Sequence, residues 1–531
     1  MFMLSGVFFV AIKIILLLVF FGVMIGVGIY CRRHATDVNG FVLGGRSVGP
    51  WLSAFAYGTS YFSAVIFIGY AGQFGWKYGI ASTWIGIGNA LIGSLLAWVV
   101  LGRRTRVMTQ HLGSSTMPEF FGARFGSNAL KIGASAITFL FLIPYTASLY
   151  NGLSRLFEMA FGIDYVWCIV VMSVLTGIYV IAGGYMATAI NDFIQGLIML
   201  GGIIAVIAAV LNSHGGFISA LNGMAAVTDP AVSEAPGAFN SFFGPDPLNL
   251  LGVVILTSLG TWGLPQMVQK FYAIKSEDSI KKGTVISTVF ALVVAGGCYF
   301  LGGFGRLADI ATVTDASGAA VPAEGYDAIL PGMLSALPDI LIAVVVILVL
   351  SASMSTLSSL VLASASTLTI DFLKGNIIKK MDEKRQLFII RVFVVVFIAI
   401  SAVIAVFQVK SDNEAVKYIA QLMGVSWGAL AGAFLAPFLY GLYWKKTTKA
   451  ACWVSFIFGA GIMTANMLFR QYFPALLQSP INCGAFAMIA GMVIVPMVSL
   501  FTKKPEKSTV DGMFACYDKK VEVPQKLSLP K

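Results

Sequence analysis

The chain has 531 residues, of which 58% are hydrophobic and 11% charged, and its formal net charge is +11 at neutral pH. A mean hydropathy of +0.86 and this low charge content exclude a soluble globular protein, in which about 25% of residues are charged. The cations are spread between apolar segments rather than gathered in one basic domain, which argues against a nucleic-acid-binding protein.

Hydropathy predicts an all-α polytopic membrane protein with 13 transmembrane helices, each long enough to cross a bilayer core of about 30 Å. The predicted spans are residues 8–30, 50–72, 80–102, 130–158, 163–183, 190–211, 248–270, 283–305, 333–367, 386–408, 413–442, 448–470 and 481–501. They form one transmembrane domain over residues 1–501. Residues 502–531 are polar and basic, and we expect them to form a mobile cytoplasmic tail.

Charged residues in the loops predict the orientation of the spans. Most lysines and arginines lie after odd-numbered spans, as do Arg103, Lys281 and Lys445, whereas acids such as Asp229 and Asp315 lie in the opposite loops. Because cytoplasmic loops carry the excess of Lys and Arg, this pattern places the N-terminus outside and the C-terminus in the cytoplasm. Short loops favour a prokaryotic plasma (inner) membrane.

Two predicted spans are interrupted by residues that propagate helices poorly. Span 2 contains the run Ser53–Ser63, rich in Ser, Gly and Thr, and span 7 contains Gly260–Gln266, with two glycines and a proline. Interruptions at corresponding places in two halves indicate the binding site of a transporter. Spans 2 and 7 are five apart, so spans 2–6 and 7–11, about residues 50–211 and 248–442, are predicted to form two repeats of opposite orientation.

Span 9 carries an unusual row of hydroxyls at membrane depth. Ala352, Ser355, Thr356 and Ser359 follow i, i+3, i+4, i+7 spacing and therefore share one helical face. This face offers neutral oxygens and no formal charge, which suits a small hard cation that must bind and leave again. The alternative is that the hydroxyls only bond the backbone of their own helix.

Five motifs in this order give the chain a strong resemblance to the sodium:solute symporter family, whose members include sodium/proline and sodium/pantothenate symporters. The motifs are Phe41–Gly49 (FVLGGRSVG), Met117–Phe125 (MPEFFGARF), Gly183–Gln195 (GGYMATAINDFIQ), Ser353–Thr356 (SMST) and Tyr443–Ala450 (YWKKTTKA). The resemblance covers about residues 8–500 and implies a LeuT-like fold of two inverted five-helix repeats.

The resemblance also implies a sodium site between the break of span 2 and the hydroxyl face of span 9. Backbone carbonyls of Thr59, Phe62 and Ala352 would face the ion. Ser355 and Thr356 would add their hydroxyls. The family pattern further implies that Asp192, at the start of span 6, supports sodium binding or its release inward; the alternative is an interfacial acid favourable to a helix N-terminus.

The solute is expected beside the two interruptions, near the middle of the membrane. Ser60 and Ser63 offer hydrogen bonds from span 2, and three residues of span 7 can line the break: Thr261, Trp262 and Gln266. We interpret Trp262 as an apolar wall.

The resemblance supplies one more solute residue and two departures. Tyr145 matches a tyrosine that proline symporters place near their substrate, although it can also be read as an interfacial aromatic. Proline symporters have an aspartate where this chain has Tyr61 and an aromatic residue where it has Thr261. These departures weaken an assignment to proline.

Together these features predict sodium-coupled secondary active uptake of a small organic solute by alternating access. The solute is expected to bear a carboxylate, as an amino acid such as proline, pantothenate or a monocarboxylate does. The expected partners are this solute, Na⁺ as coupling ion, and the lipid bilayer, with no nucleic acid. Two alternatives stay open: a proton-coupled carrier of the same fold and a transporter-like nutrient sensor. No paired acids or nucleophile with a base were found at membrane depth, so an enzyme is not expected.

Overall fold

Helices make up almost all of the regular structure, because backbone groups inside a bilayer must satisfy their own hydrogen bonds. The computed structural model describes residues 2–32, 35–315, 317–335, 337–374, 376–378, 380–409 and 419–518, with side chains from residue 14 onward except at positions 179 and 409. Residues 519–531 of the predicted tail lie outside the described residues.

The helices of the first half are α1 (Phe2–Cys31), α2 (Val38–Leu43), α3 (Pro50–Tyr61), α4 (Gly72–Tyr78), α5 (Thr83–Gly88), α6 (Arg103–His111), α7 (Met117–Phe125), α8 (Asn128–Phe161), α9 (Tyr165–Ser213) and α10 (Phe217–Ala226). Those of the second half are α11 (Pro247–Gly263), α12 (Pro265–Tyr272), α13 (Glu277–Ala291), α14 (Gly297–Gly302), α15 (Ile329–Ser335), α16 (Asp339–Thr367), α17 (Glu383–Val409), α18 (Ile419–Tyr443), α19 (Lys449–Phe469), α20 (Ala475–Gln478), α21 (Pro480–Phe501) and α22 (Lys507–Phe514). Wider π-helical turns extend or join these helices at Val65–Ala71, Asn89–Leu96, Trp98–Gly102, Leu292–Gly296 and Leu368–Leu373. An antiparallel hairpin pairs β1 (Thr312–Thr314) with β2 (Ala320–Pro322).

The two predicted interruptions are breaks of the same kind. The chain leaves the helical conformation after α3 at Phe62, where φ is −84° and ψ is 121°. It does so again between α11 and α12 at Leu264, where φ is −82° and ψ is 121°, and the two helices bend by 47°. Equivalent breaks five spans apart are what two repeats of one architecture produce, and each break frees backbone carbonyls at the end of a helix.

A glycine separates predicted spans 5 and 6 within the 49-residue helix α9. Gly184 has φ 56° and ψ −153°, and a Cβ added there would lie 2.8 Å from the backbone oxygen of Phe41. Only glycine adopts this conformation without strain. The kink redirects the second part of α9, and with it Asp192, toward the centre of the helix bundle.

The structure has fewer clear membrane-spanning segments among its described residues than the 13 that the sequence predicts. Among the described residues, ten helical segments are long and apolar enough to cross a membrane, and the bent pair α11–α12 makes eleven. The difference from 13 arises at two places. Residues 65–111, which the prediction divides between spans 2 and 3, pass as one segment, and Tyr165–Ile178 of predicted span 5 is short. The count of 13 is therefore not confirmed, while the polytopic all-helical architecture is.

Predicted span 9 is deeply enclosed in the helix bundle. Every residue of α16 from Leu348 to Thr367 is buried, on all sides of the helix. Its neighbours include α3, α8, α9, α12 and α17. The hydroxyl face of α16 therefore meets other helices, chiefly the end of α3, instead of lipid.

Helices α13 and α14 run between two ends of the molecule, which we call the hairpin end and the tail end. At the hairpin end, Trp76 Nε1 donates a 3.0 Å hydrogen bond to the carbonyl of Ala320 in β2. Arg306 pairs with Asp229 at 3.0 Å, and the same carboxylate accepts from the Ala320 N–H. These contacts connect the hairpin to α4, which follows the break of span 2.

At the tail end, residues 507–518 of the predicted tail are helical and contact the ends of the transmembrane helices, while the mobility expected of the tail stays a prediction. Helix α22 buries Val510 and Phe514. The Tyr517 hydroxyl donates to the carbonyl of Leu442 at 2.8 Å, and Arg103 donates to the carbonyl of Tyr517 at 2.9 Å. A short amphipathic helix with aromatic anchors can bury enough apolar surface to remain docked, a property that the polar composition of the whole tail conceals.

Candidate functional site

The break after α3 brings two of its backbone carbonyls against three oxygens on the hydroxyl face of α16. Thr356 Oγ1 lies 3.2 Å from each of three carbonyl oxygens, those of Thr59, Phe62 and Ala352. Ser355 Oγ lies 3.0 Å from the carbonyl of Thr59 and 2.9 Å from that of Ala352. We call this group the oxygen cradle.

The cradle is a compact cluster of neutral oxygens. Its two hydroxyls lie within hydrogen-bonding distance of three carbonyls through five contacts. All five residues are at most 1% exposed, so the cluster is shielded from bulk water. A small hard cation satisfies such carbonyl and hydroxyl oxygens, and the neutral donor set lets it leave again. The arrangement therefore fits sodium as a transported ion.

A neighbouring serine joins the break to α16. Ser353 Oγ accepts the N–H of Ala64, just after the break, at 3.2 Å and donates to the carbonyl of Val349 at 2.8 Å. This contact fixes the register between the broken span and α16. The cradle thus depends on two elements that are almost 300 residues apart in sequence.

A second polar group adjoins the cradle, and its central residue was not among the candidates from sequence. Lys270, on α12, donates from Nζ to Ser359 Oγ at 2.9 Å and lies 3.6 Å from Asp192 Oδ2 on α9. The lysine side chain is 3% exposed and the aspartate side chain is fully buried. We call Asp192, Lys270 and Ser359 the buried ion-pair group.

Serines connect this group to the cradle. Ser359 Oγ lies 2.9 Å from Ser60 Oγ and 3.1 Å from the carbonyl of Ser355. Ser60 precedes the break by two residues and follows Thr59 directly. Ser60 faces the ion-pair group.

Asp192 lies in the interior of the bundle, two helical turns beyond the Gly184 kink, and its side chain is fully buried. This burial contradicts the alternative expectation of an acid at the membrane interface.

Among the predicted solute residues, Ser63 and Tyr145 lie close together. The Tyr145 hydroxyl lies beside both Ser63 and Trp427, and the rings of Tyr145 and Trp427 meet edge to face at 5.8 Å. Trp427 packs on the span 7 side of the bundle, because a Cβ added to Gly260 would lie 3.0 Å from its ring. The hydroxyls of Ser63 and Tyr145 and the indole N–H of Trp427 are buried beside one another, and none of the three forms a hydrogen bond of normal geometry with the described residues.

Gln266 follows the span 7 break by two residues, and its side chain also lacks hydrogen-bond partners among the described residues. Both polar atoms of its side-chain amide are buried without a partner in the described part of the chain. Tyr61 resembles it, with a buried hydroxyl that lacks a partner there. Unsatisfied buried polar groups are expensive in a folded protein. Atoms of this kind occur in many parts of the described structure, and those beside the two helix breaks lie where a polar ligand can complete their hydrogen bonds.

Thr261 and Trp262 make different contacts from those expected. Thr261 Oγ1 lies 3.1 Å from the carbonyl of Gly93, and Trp262 Nε1 donates to the carbonyl of Ile92 at 3.0 Å. Both acceptors belong to the π-helical turn Asn89–Leu96. In this conformation the two side chains join span 7 to span 3, and their assignment to the solute stays a prediction.

Lys270 and Trp427 are the residues that sequence reasoning missed. Lys270 stands at the end of the apolar stretch of span 7, where it reads as one more cation beside the membrane surface. A signal was nevertheless present: the lysine follows the break by only six residues, so it lies within two helical turns of a predicted binding site. Trp427 carries no local signal, because its span has no interruption around it.

Comparisons with known proteins identify the family of the chain. The sodium:solute symporter family profile matches residues 41–459. The chain is 30% identical over 506 residues to a sodium/proline symporter of Staphylococcus aureus, which covers 92% of this chain and 93% of that protein.

Two solved structures share the fold. One is the substrate-bound outward-open state of a Na⁺-coupled sialic acid symporter, with a TM-score of 0.69 and 17% identity over 93% of this chain and 99% of that chain. The other is Mhp1, a nucleobase-cation-symport-1 family transporter in a closed conformation, with a TM-score of 0.51 and 12% identity over 89% of this chain and 97% of that chain. At these identities the likeness concerns the fold, and it confirms the expected LeuT-like architecture.

The profile match and the curated relative also confirm the resemblance seen in the sequence motifs. The chain belongs to the sodium:solute symporter family, as a multi-pass membrane transporter, and not an enzyme, that couples the movement of a small solute to sodium.

Proposed function

We propose that this protein drives uptake of a small carboxylate-bearing solute, with sodium bound in the oxygen cradle of Thr59, Phe62, Ala352, Ser355 and Thr356. The observation that carries the ion assignment is the convergence of three carbonyl and two hydroxyl oxygens, all buried, at the break of span 2. The cradle joins the moving break of span 2 to the enclosed helix α16. Sodium binding therefore stabilises the arrangement of the break that the solute requires, and by linkage the solute raises sodium affinity equally.

The solute class follows from the unpartnered polar atoms near the breaks. Ser63, Tyr145 and Trp427 present donors, and Gln266 presents a donor and an acceptor, all uncharged. Such a donor-rich set suits the oxygens of a carboxylate. The set contains no acidic side chain to bind an ammonium group, and the nearby carboxylate of Asp192 already faces Lys270. We therefore place a monocarboxylate or pantothenate ahead of proline, the substrate named for the curated relative.

The driving force depends on the charge of the solute. A membrane potential of about 100 mV contributes ~2.3 kcal/mol per transferred charge, and a tenfold sodium gradient contributes ~1.4 kcal/mol. With one sodium, a solute of no net charge could be concentrated roughly 500-fold by both terms together. A monocarboxylate anion would move with one sodium without net charge, so only the sodium gradient would act on it, giving roughly tenfold accumulation.

The proposed orientation follows the distribution of charged loops. With the N-terminus outside and the C-terminal tail in the cytoplasm of a prokaryotic cell, the hairpin end faces the exterior. Sodium and solute then enter from the hairpin end and leave at the tail end, in the direction of uptake. Cysteine labelling from outside intact cells at an exposed hairpin position, Val313→Cys, tests this orientation in a chain whose six native cysteines have been replaced by serine or alanine. Labelling only after permeabilisation would contradict it.

Uptake into proteoliposomes tests the function. Purified protein is reconstituted, a sodium gradient is imposed, and accumulation of labelled pyruvate, lactate, pantothenate, proline and galactose is compared. The expected result is sodium-dependent accumulation of a carboxylate and none of galactose. Protein-free liposomes and a sodium ionophore serve as controls. Accumulation of galactose alone would contradict the solute class.

One observation keeps proton coupling as a second candidate. The buried ion-pair group places a lysine and a carboxylate one helical turn from the cradle, and buried titratable groups at such a depth often carry protons in transporters. The same proteoliposomes distinguish the two ions. Uptake driven equally well by a proton gradient without sodium would replace sodium as the coupling ion. Absence of uptake of every solute, with sodium binding intact, would favour the sensor.

A further inference from the structure

The first part of the predicted cytoplasmic tail packs against the tail end of the helix bundle. Helix α22 is followed by a 3₁₀ turn over Ala515–Asp518, and we call residues 507–518 the docked tail. Its apolar side chains Val510 and Phe514 are 4% and 9% exposed, although they lie beyond the last predicted span. This burial gives the docked tail a defined place against the transmembrane domain.

Tyr517 joins the docked tail to two spans at once. Its hydroxyl donates to the carbonyl of Leu442, at the end of α18, at 2.8 Å, and its own carbonyl accepts from Arg103, at the start of α6, at 2.9 Å. The guanidinium of Arg104 lies 4.5 Å from the Tyr517 ring and 4.0 Å from the ring of Tyr443, the last residue of α18. Each ring makes a cation–π contact with this one arginine. A single tail residue therefore contacts both helices.

The ends of predicted spans 3 and 11 also contact each other directly at this place. The Tyr443 hydroxyl donates to the carbonyl of Val100 at 2.6 Å, and Arg104 donates to the carbonyl of Leu442 at 3.2 Å. The carbonyl of Leu442 thus accepts from both Arg104 and Tyr517. The docked tail strengthens an existing junction between the two helix ends.

This junction lies between the two predicted repeats. Helix α6 continues predicted span 3, in the first repeat, and α18 is predicted span 11, the last of the second repeat. Transporters built from inverted repeats open to one side at a time, by movement of one repeat or helix bundle against the other. A residue that contacts both sides of the junction loses contacts when the junction separates.

The remaining contacts of the docked tail show where its docking is strongest. The guanidinium of Arg124, on α7, lies 5.1 Å from the ring of Phe514. Lys445 pairs with Asp511 at 2.7 Å, but both side chains are about half exposed, and exposed ion pairs contribute little. Replacement of Tyr517 is therefore the sharpest test, because it removes side-chain contacts with α6 and α18 and leaves Phe514 in place.

We propose that the docked tail is an autoinhibitory latch, which holds the ends of α6 and α18 together and must release Tyr517 before the transport site opens at the tail end. This inference rests on the proposed function, in which sodium and solute leave at that end. The contacts of the docked tail described above lie apart from the oxygen cradle and the two breaks. The latch therefore acts on the balance between conformations and not on ion or solute contacts.

A purely local role makes a different prediction. If docking only orders the tail, then Tyr517→Ala frees the tail and leaves the balance between closed and open tail ends unchanged. If the docked tail is a latch, then the loss of one hydrogen bond and one cation–π contact should raise the ratio of open to closed protein by roughly 5- to 70-fold. The separation of the two helix ends is the quantity that distinguishes the two roles.

Pulsed electron paramagnetic resonance on spin-labelled protein in lipid nanodiscs measures this separation without any solute. Labels are attached at His111→Cys, the last residue of α6, and at Lys446→Cys, just after α18, in a chain whose native cysteines have been replaced by serine or alanine; both positions are exposed. The full-length parent should show mainly the short distance of the closed junction. Tyr517→Ala should increase the population at longer distance, and Tyr517→Phe, which keeps the ring, should do so by less.

Three further proteins serve as matched controls. Ser508→Ala changes an exposed side chain of α22 and should leave the distances unchanged. A chain that ends at Asp518 keeps the docked tail and should resemble the full-length parent. A chain that ends at Glu506 lacks the docked tail and should open at least as much as Tyr517→Ala.

The outcomes separate this inference from the proposed function. Unchanged distances in Tyr517→Ala, with the tail released as shown by faster trypsin cleavage at Lys507, would overturn the latch, and so would equal opening of the chains that end at Asp518 and Glu506. Should Tyr517→Ala fail to fold, Tyr517→Phe and the chain that ends at Glu506 still decide by the same measurement. Sodium-driven uptake by the parent with identical distances in every variant refutes the latch alone. Absence of sodium-driven uptake of all the labelled solutes named above counts against the proposed function instead.

Discussion

Replacement of Thr356 by alanine should weaken sodium activation strongly while the protein still folds. Thr356 Oγ1 is the cradle oxygen with the most contacts, at 3.2 Å from each of three carbonyls. Contacts of a neutral oxygen with a charged group contribute about 1.5–3 kcal/mol each. With ~1.4 kcal/mol per factor of ten, the half-saturating sodium concentration should rise about 10- to 150-fold.

The same change can be followed without a solute by thermal unfolding in detergent. At a sodium concentration of about 100 times the wild-type dissociation constant, bound sodium stabilises the wild type by ~2.7 kcal/mol. A site weakened by the factors above would be stabilised by only about 0.3–1.4 kcal/mol at that concentration. The variant should therefore show a smaller sodium-dependent rise in unfolding temperature, with a similar unfolding temperature in sodium-free buffer.

Two variants serve as matched controls. Thr356→Ser keeps the hydroxyl and should keep most of the sodium affinity. Ser366→Ala removes a hydroxyl from the same buried helix, where Ser366 donates to the carbonyl of Leu362 at 2.7 Å, and should leave sodium activation unchanged. If Thr356→Ala retains both the wild-type half-saturation and the full thermal response to sodium, then the cradle is not the coupling site and the reasoning fails.

Three further predictions concern the solute, pH and the tail. Gln266→Leu should raise the KM for solute about 5- to 150-fold, since a buried hydrogen-bonding group contributes about 1–3 kcal/mol, without lowering the solute-free unfolding temperature; an unchanged KM in uptake assays would remove Gln266 from the site. Burial raises the pKa of Asp327, near the hairpin, to about 6 from an ordinary value of 3.8. A group whose pKa is raised by folding stabilises the folded protein most at a pH below its unfolded pKa, and this contribution is lost as the pH rises through its folded pKa. For Asp327 the loss amounts to ~3 kcal/mol between about pH 4 and 6. Unfolding temperatures should fall from pH 5 to pH 7 by more in the wild type than in Asp327→Asn, and parallel profiles would contradict this. Tyr517→Ala removes the contact with Leu442 and a stacking contact with Arg104 at 4.5 Å, so limited proteolysis near Lys507 should accelerate at nearly unchanged global stability.

The sequence by itself determined the membrane class, the helical fold, the two breaks and the hydroxyl face of span 9. Each of these follows from a local rule. A bilayer of about 30 Å requires long apolar helices, Gly and Pro mark where a helix can open, and helical periodicity places Ser355 and Thr356 on one face. Motif order across the chain added the family, and with it the carbonyls of Thr59 and Phe62.

The tertiary structure alone decided which groups meet. Periodicity shows that Ser359 shares a face with the cradle residues, but not that Lys270, 89 positions away, donates to it. Nor does it show that Thr261 and Trp262 turn toward the π-helical segment of span 3, or that Tyr517 docks at the end of α18. A pattern along one helix fixes the direction of a side chain relative to its own axis. The partner it finds depends on how the helices pack around it, which is set by contacts between residues far apart in the chain.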